Sequence, residues 1–297
     1  MTTQTQSAVG SSPHLSNTER NQLVEQFEAD GYCVLPELLP SELNARLVAA
    51  IDRITTQRRG TNKSKSVKVA NCVDADPAFR ELMMYTPALE LCFDLLGPLF
   101  HLCQSNFVSR PRDAASAADY ISSSPWHADG PRPQFPSING CYGLHYLKFG
   151  YFLTDLTHGN GGPLQVVRGS HKRPELDGKG SQFRIDDYAK DLLTFNCPAG
   201  TIVAFHQAQW HAAPPNQSEI ERKNVYISYC PTFMKPLDRE LPQSMESLAD
   251  LTPEERWLLG EPRPAHRFWF PTADDHARLL RYRRDGSAGP LQQRNYE

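Results

Sequence analysis

The stretch LFHLCQSNFVS, residues 99–109, opens a series of short segments with the character of β-strands. Clusters of glycine, proline and asparagine separate these segments along the chain. Many short strands with turn residues between them are typical of a β-sandwich or a β-barrel. The later segments are LHYLKFGYFLTD (144–155), GPLQVVRG (162–169), LLTFNCP (192–198), GTIVAFHQ (200–207) and KNVYISYCPTF (223–233).

The residues before this stretch predict helices. Ser16 and Glu19 form a possible capping box, an apolar stripe follows it, and Gly31 is a stop signal. Residues 41–57 place their apolar side chains on one helical face. Three further predictions concern a helix over 78–97 that is broken near Pro87, a Lys/Ser/Asn-rich loop over 57–76 and a short helix in 251–260.

Helices in front of an all-β half predict one mainly β domain. Its core is expected to be a double-stranded β-helix (a cupin-like jelly roll) buttressed by N-terminal α-helices. We expect residues 1–16 to be a disordered lead and 17–297 to be the domain. Its parts are a helical part (17–98), a jelly-roll core (99–235) and a C-terminal extension (236–297).

The composition excludes several classes of protein. With 39% hydrophobic and 22% charged residues among 297, the chain can bury a core. A net charge of −3 gives no electrostatic reason to expect nucleic acid or an anionic membrane as the partner. The chain has no apolar run of roughly 20 residues, and its N-terminus lacks the plan of a signal peptide. The number of subunits is left open.

The cysteines indicate a reducing compartment. There are seven of them, an odd number, and the sequence contains no C-x-x-C. Several stand inside apolar runs such as GYCVL and LELCFDLL, which is typical of buried thiols. We therefore expect a cytoplasmic protein whose cysteines are neither metal ligands nor nucleophiles.

The stretch SSPWHADGPRP, residues 123–133, places His127 and Asp129 two positions apart. On an extended segment residues i and i+2 point to the same side, so the imidazole and the carboxylate lie together. They are either two members of a metal site or a hydrogen-bonded pair on the surface. The tripeptide alone does not decide between these interpretations.

A metal site needs at least one more protein ligand. The 2-His-1-carboxylate triad of Fe(II) enzymes leaves the remaining coordination positions open. His211 is the best candidate, because it follows a β-rich run and leads into a Pro/Asn turn. His206, five residues earlier, is the rival, although a strand histidine is more commonly a core residue.

Arg222 follows His211 by eleven residues and opens the strand RKNVYISY. An arginine that enters a buried strand needs a partner, and its planar fork suits a carboxylate. That carboxylate is either an acidic side chain at the sheet edge or part of a ligand. Gln104 and Asn106 alternate on the strand before His127, so both can face the same site or, alternatively, solvent.

Four pieces of the chain occur in the order and spacing of a known family. They are FEADGYCVLPELLPSELNARL (27–47), WHAD (126–129), LTDLTHGNGGPLQVVRGSHK (153–172) and GTIVAFHQAQWHAAPPNQSEIERKNVYISY (200–229). Together they resemble the phytanoyl-CoA dioxygenase family of Fe(II)/2-oxoglutarate-dependent oxygenases. The resemblance covers about residues 20–235.

The resemblance implies the cofactors and the roles of the site residues. His127, Asp129 and His211 would bind Fe(II), and Arg222 would bind the C5 carboxylate of 2-oxoglutarate. Gln104 and Asn106 would hold the other carboxylate of this cosubstrate, or the substrate.

The resemblance also implies the reaction. An unactivated C–H of a small organic metabolite would be oxidised, in most members hydroxylated, and the setting would be secondary metabolism. O₂ and 2-oxoglutarate would be consumed, giving succinate and CO₂. Desaturation, epoxidation and ring formation use the same triad, so they stay open as alternatives to hydroxylation. The presence of Asp129 argues against a halogenase, because halogenases similar to this family lack that carboxylate. The Gly-Ser-His turn at 169–171 is expected to be structural.

Two positions depart from the family pattern. Ala213 stands two residues after His211, where members often carry a hydroxyl residue, and Leu164 stands where threonine is common. These departures leave open which side chains supply the missing contacts to the cosubstrate.

Substrate contacts are expected from the segment after Asp129 and from the neighbouring strand. Lys148 interrupts an apolar strand, as a solvent-facing lysine or as a counter-charge for an anionic substrate or for 2-oxoglutarate. The candidate substrate residues are Arg132, Phe135, His145, Tyr146 and Lys148.

Two alternatives to the oxygenase remain: a cupin-like zinc or manganese hydrolase or isomerase, which leaves Arg222 unexplained, and a non-catalytic metal-binding member of the family.

Overall fold

The structure is a computed structural model that describes residues 14–61, 66–113, 126–129, 142–173, 176, 184–238 and 250–260. Its helices are α1 (Asn17–Asp30), α2 (Ser41–Arg59), α3 (Pro77–Met83), α4 (Thr86–Leu96) and α5 (Pro253–Leu258). Its strands are β1 (Tyr32–Val34), β2 (Val67–Ala70), β3 (Phe100–Arg110), β4 (Leu147–Phe152), β5 (Gln165–Val167), β6 (Leu192–Thr194), β7 (Thr201–His206), β8 (His211–Ala212) and β9 (Arg222–Pro231).

The first helix begins and ends where its sequence signals predict. The Ser16 hydroxyl accepts a hydrogen bond from the backbone N–H of Glu19, and the Glu19 carboxylate accepts one from the backbone of Ser16. Gly31 ends the helix with φ 81°, a left-handed conformation that glycine adopts without a steric penalty. The chain then turns directly into β1.

The expected break between two helices is also present. Helix α3 ends at Met83 and α4 begins at Thr86, with Pro87 in its first turn, where a missing N–H costs nothing. The loop predicted over 57–76 is partly wrong. Within the described part of that range, β2 and a 3-10 turn at Cys72–Asp74 are formed. Strand β2 is stabilised by pairing with β3, a long-range contact that the local composition does not reveal.

The strands form the jelly roll that the sequence predicted. A six-stranded sheet has the order β1-β7-β4-β9-β3-β2, and a three-stranded sheet has the order β6-β5-β8. The pairs within both sheets are antiparallel. The mainly β, cupin-like fold class is therefore confirmed.

One face of the large sheet, here called the outer face, packs against the helices. Phe107, Ile227 and Tyr229 are fully buried there, in one cluster with side chains of α1 to α4. The Phe107 ring stacks on Phe79 of α3 with centroids 5.6 Å apart. This cluster is the main hydrophobic core.

The opposite face of the large sheet, here called the inner face, looks toward the small sheet. Phe152 and Phe205 pack there against Val166 of β5 and against Leu164, which immediately precedes that strand. The remaining inner positions of β3, β4 and β9 are largely polar. They are Gln104, Asn106 and Arg110 on β3, Lys148 on β4, and Arg222, Asn224, Tyr226 and Ser228 on β9.

Among the residues that the structure describes, no helix combines the length and the apolar character that crossing a membrane requires. Helix α5 confirms the short helix expected near residue 255, and the indole N–H of Trp257 donates to the carbonyl of Phe100. The domain boundaries given above stay predictions, since 239–249 and 261–297 lie outside the described residues.

Candidate metal centre

Backbone pairing brings the two distant histidines together. The N–H of His127 donates to the carbonyl of His211 at 3.1 Å, and the N–H of His211 donates back at 2.8 Å. Directly opposed residues of an antiparallel pair project to the same side. The two imidazole centroids are accordingly 4.3 Å apart.

Asp129 completes the cluster, two residues after His127. Its Oδ1 lies 3.7 Å from Nε2 of His127, and its Oδ2 lies 3.9 Å from Nε2 of His211. One ligand atom from each residue lies within 4.8 Å of the other two. Two neutral imidazoles and one carboxylate are a donor set that Fe(II), Mn(II) and Zn(II) accept.

A backbone carbonyl fixes the tautomer of His211. Its Nδ1 lies 2.9 Å from the carbonyl oxygen of Gln209. Because a carbonyl oxygen only accepts, Nδ1 carries the proton and Nε2 presents a lone pair toward Asp129. This is the arrangement that a histidine ligand of a metal requires.

The protonation states also suit metal binding. Burial lowers the pKa of His211 to about 4, although Asp129 acts in the opposite direction. Burial alone would raise the pKa of Asp129, but the charges of Lys148, His211 and His127 outweigh it and hold this pKa well below its usual range. Near neutral pH His211 is thus a free base and Asp129 a carboxylate, which are the forms that bind a cation.

His206, the rival third ligand, lies on the outer face of β7. Its ring contacts His171 at 5.2 Å and Phe27 of α1 at 6.0 Å between centroids. Its Nδ1 accepts the backbone N–H of Ala208 at 3.0 Å. His206 is therefore a buried histidine of the helix–sheet interface, and His211 is the histidine that lies beside His127 and Asp129.

Arg222 lies on the inner face at the start of β9, where its side chain is almost fully buried. Its Nη1 donates to the carbonyl of Gly162 and, at 3.4 Å, to that of Pro214. Gly162 has φ 70°, and a Cβ there would lie 2.6 Å from Nη1. Glycine at this position leaves the space that the guanidinium occupies.

Gln104 and Asn106 share the inner face with Arg222, as their alternation on the strand predicted. Gln104 is paired with Ser228 of β9, and its Nε2 donates to the Ser228 hydroxyl at 3.4 Å. Asn106 is paired with Tyr226 and is 8% exposed. These polar side chains face the interior of the jelly roll, so the interpretation as a solvated strand face is wrong for Asn106.

The structure describes three of the five candidate substrate residues, His145, Tyr146 and Lys148. Tyr146 is buried beside Cys103 and Cys230, and both burial and the charge of Asp129 raise the pKa of its phenol. His145 is partly buried, and its backbone N–H donates to Gln207 Oε1 at 3.2 Å. Arg132 and Phe135 lie outside the described residues.

Lys148 is buried and points to the inner face of β4. Its Nζ lies 2.6 Å from Oδ2 of Asp129, so the interpretation as a solvent-facing lysine is wrong. The ammonium also lies 5.3 Å from the ring centroid of Phe205 and 5.0 Å from that of Tyr226. Lys148 is thus in direct contact with a candidate metal ligand.

The sequence analysis did not identify Asn224 and Tyr226. They follow Arg222 at i+2 and i+4 on β9, so they share its face, and Asn224 Nδ2 lies 3.3 Å from the Tyr226 hydroxyl. Asn224 is 2% exposed, and no hydrogen bond to its Oδ1 is formed within the described part of the chain. The alternation from Arg222 was the signal that could have found both residues.

The fold and the donor set together define a class of protein. A jelly-roll core that carries two imidazoles and a carboxylate at its mouth is typical of mononuclear non-haem metal enzymes. The family model of phytanoyl-CoA dioxygenase (PhyH) matches residues 27–224, more than half of the chain. The chain therefore belongs to the phytanoyl-CoA dioxygenase family, whose members use Fe(II), 2-oxoglutarate and O₂.

Two mycobacterial proteins are similar to this chain over most of its length. The chain is 24% identical over 232 residues to the uncharacterized protein Rv1501 of Mycobacterium tuberculosis, covering 74% of this chain and 78% of that protein. The uncharacterized protein Mb1539 of Mycobacterium bovis matches over the same length with the same identity.

Solved structures share the fold. HygX from Streptomyces hygroscopicus with nickel and 2-oxoglutarate bound superposes with a TM-score of 0.59 at 18% identity, covering 72% of this chain and 88% of HygX. The α-ketoglutarate-dependent epimerase SnoN from nogalamycin biosynthesis superposes with a TM-score of 0.53 at 20% identity, covering 72% of this chain and 84% of SnoN. Family membership and fold support an oxygenase-type enzyme that depends on iron and 2-oxoglutarate.

Proposed function

We propose that the protein is a non-haem Fe(II)- and 2-oxoglutarate-dependent dioxygenase that hydroxylates an unactivated C–H of a small organic metabolite. The observation that carries this proposal is the cluster of His127, Asp129 and His211 in a jelly roll that also holds a buried arginine, Arg222, on the inner face of its large sheet. A zinc or manganese hydrolase on the same triad would have no use for that arginine.

The three cluster residues are proposed to hold the metal. Nε2 of each histidine and one oxygen of Asp129 supply three donors, which leaves the other coordination positions to the cosubstrate. Bound Fe(II) would activate O₂, the oxidant: one oxygen atom of O₂ would enter succinate as 2-oxoglutarate loses CO₂, and the other would enter the substrate C–H as the hydroxyl. The role of the protein is to place the donors, exclude water and orient the substrate C–H.

The inner face of β9 and β3 is proposed to bind 2-oxoglutarate. Arg222 supplies a buried, fixed positive charge for the C5 carboxylate, since its fork is suited to two parallel hydrogen bonds. Asn224 and Asn106 line the same face and offer amide groups to the cosubstrate. We propose that Asn224 supplies a contact that the family's hydroxyl residues give elsewhere, because Leu164 packs in the apolar cluster between the sheets.

The substrate is proposed to be a small organic molecule that enters beside the metal. HygX has been solved with hygromycin B bound, and this supports a substrate of that general kind. Lys148 contacts Asp129, and the charge of Asp129 acts on Tyr146, so both are close to the proposed metal site. His145, Arg132 and Phe135 remain candidates for contacts to the substrate.

A second candidate reaction is stereochemical inversion at a substrate carbon. The observation that favours it is the similarity of the fold to SnoN, which is an epimerase that depends on α-ketoglutarate. The same donor set serves both reactions, so the product distinguishes them. Incorporation of ¹⁸O from ¹⁸O₂ into the product indicates hydroxylation, and an isotope-free product of inverted configuration indicates epimerisation.

We also propose a cytoplasmic location. The six cysteines within the described residues are all buried, free thiols, which is typical of a reducing compartment. These cysteines are Cys33, Cys72, Cys92, Cys103, Cys197 and Cys230.

An anaerobic titration with Fe(II) and then 2-oxoglutarate tests the proposed chemistry. We expect a visible metal-to-ligand charge-transfer band that is absent in His211→Ala and that requires more 2-oxoglutarate in Arg222→Ala. Metal binding without a band in the wild type would contradict the oxygenase and favour the zinc or manganese enzyme. A band without 2-oxoglutarate turnover in the presence of O₂ and candidate substrates would favour a non-catalytic member.

A further inference from the structure

Lys148 is a charged side chain buried in the middle of a strand, which is unfavourable for folding and suggests a functional role. It stands in the middle of β4 with its neighbours Leu147 and Phe149 fully buried, and it is itself 8% exposed. A buried ammonium needs a compensating partner, because its removal from water is unfavourable. The described partners of Nζ are the Oδ2 atom of Asp129 at 2.6 Å and the faces of the Phe205 and Tyr226 rings.

The two oxygens of Asp129 have different neighbours. Oδ2 accepts a hydrogen bond from the Lys148 ammonium at 2.6 Å and lies 3.9 Å from Nε2 of His211, whereas Oδ1 lies 3.7 Å from Nε2 of His127. A carboxylate with one oxygen in a charge-assisted hydrogen bond keeps the other oxygen for a metal. Two rings fix the position of the ammonium, so the lysine cannot swing away without losing both contacts.

We infer that Lys148 is a positioning residue that keeps Asp129 bound to the metal through a single oxygen. This inference rests on the proposed function, because a bidentate Asp129 would occupy a coordination position that the cosubstrate needs. Lys148 also adds a positive charge beside the centre, which favours a dianion such as 2-oxoglutarate and disfavours a second cation.

Removal of Lys148 should change the affinity for the metal and the affinity for 2-oxoglutarate in different ways, unlike removal of an ordinary hydrogen-bond partner of a metal ligand. Loss of an outer hydrogen-bond partner usually weakens metal binding by about 10- to 100-fold. Lys148 differs from such partners because it is a cation, so its removal relieves repulsion of the metal and frees Oδ2 as a second donor. The affinity for the metal is therefore retained or raised, while the affinity for 2-oxoglutarate falls.

Lys148→Met, Lys148→Arg and the wild type are compared by calorimetric titration with Co(II) and by anaerobic titration of the Fe(II) protein with 2-oxoglutarate. Lys223→Met is the matched control. Lys223 lies on the outer face of β9, with its Nζ 3.1 Å from Oδ1 of Asp52, so its removal changes the net charge without touching the centre. Thermal unfolding of the metal-free variants verifies that each is folded.

For Lys148→Met we expect Co(II) affinity equal to or up to about 10-fold above that of the wild type, and 2-oxoglutarate affinity about 10-fold lower. Lys148→Arg keeps the charge and is expected to change both affinities by less than about threefold, as is Lys223→Met. If Lys148→Met does not fold, the Arg variant decides the inference: loss of Co(II) affinity in it contradicts a charge-based role.

A parallel loss of both affinities in Lys148→Met, or no change in either, overturns the inference and leaves the proposed function intact. Failure of the proposed function has a different appearance. In that case the wild type itself binds Co(II) but gives no charge-transfer band with Fe(II) and 2-oxoglutarate, and both proposals fall together.

Discussion

The outer and inner faces of the six-stranded sheet differ in nearly every property although they share the same strands. On the outer face Phe107, Val225 and Ile227 have no exposed surface and pack against the helices. On the inner face their sequence neighbours Asn106, Asn224 and Tyr226 are polar and look toward the small sheet. The alternation of side chains along a strand separates the two sets.

The apolar side chains that stabilise the fold and the polar side chains of the proposed site lie on opposite faces of the same strands. Burial of apolar side chains on the outer face contributes to folding, at about 25 cal/mol per Å² removed from water. Burial of polar groups on the inner face costs free energy unless they find partners. Some of these groups have partners within the protein, such as Lys148 with Asp129 and Arg110 with Asp113, and we propose that a ligand completes the hydrogen bonds of others.

The largest effect is expected from a truncation on the outer face. Phe107→Ala removes a fully buried ring that stacks on Phe79, and it should lower the free energy of unfolding by about 3–5 kcal/mol. Chemical denaturation measures this change. Val108→Ala, one residue along on the inner face and partly exposed, is the control and should cost less than about 1.5 kcal/mol. Equal losses of unfolding free energy in the two variants would contradict the view that the outer face contributes more to stability than the inner face.

The next effect concerns the buried arginine of the inner face. Arg222→Met should weaken 2-oxoglutarate binding about 100-fold, or about 2.7 kcal/mol, because the cosubstrate carboxylate loses a buried charged partner. The anaerobic charge-transfer titration measures this affinity. Arg110→Met is the matched control, since Arg110 is paired with Arg222 across the strands and forms an ion pair with Asp113. An equal loss in the control would show that bulk positive charge, not Arg222, binds the cosubstrate.

The buried histidines of the helix–sheet interface, His206 and the neighbouring His171, should make stability depend on pH, and the pKa of His206 is lowered further than that of His171. Burial, with His171 and His145 nearby, lowers the pKa of His206 to about 3, whereas the unfolded value is about 6.5. Between pH 6.5 and about 3 the unfolded chain binds a proton that the folded chain does not. The free energy of unfolding should therefore fall with falling pH, by up to about 1.4 kcal/mol per unit from this group.

Denaturant titrations of the metal-free protein between pH 4 and 7 measure this slope. His206→Asn keeps an acceptor for the Ala208 N–H and should have a shallower slope than the wild type. His158→Asn alters an exposed histidine and should follow the wild-type curve. Identical slopes in all three proteins would mean that His206 binds its proton equally in the folded and unfolded chains, so that folding does not lower its pKa.

The smallest effect is expected at Asn224. Asn224→Ala should weaken 2-oxoglutarate binding about fivefold, which corresponds to one hydrogen bond of about 1 kcal/mol. Stability should change little, because the described structure gives Oδ1 no hydrogen-bond partner to lose. Tyr226→Phe removes only the hydroxyl that contacts Asn224. Comparison of the two variants separates the contribution of the Asn224 amide to binding from that of the Tyr226 hydroxyl. A clear loss of stability without a loss of affinity would assign Asn224 to the fold and not to the cosubstrate.

Local signals in the sequence were sufficient for many elements. The capping box of Ser16 and Glu19 and the stop at Gly31 predicted α1, because these contacts lie within a few residues of one another. The spacing of His127 and Asp129 predicted that these two side chains lie together, as they do. Strand β2 escaped prediction because its stability comes from pairing with β3.

The sequence by itself determined the fold class and the family, and it predicted the residues that we propose bind a metal and a carboxylate. Those properties depend on residue type and short-range spacing. Only the tertiary structure decided between His211 and His206, placed Lys148 on Asp129 and added Asn224 to the inner face. Each of these depends on which strand faces which. Strand pairing joins residues far apart in the chain, so the local pattern does not contain it.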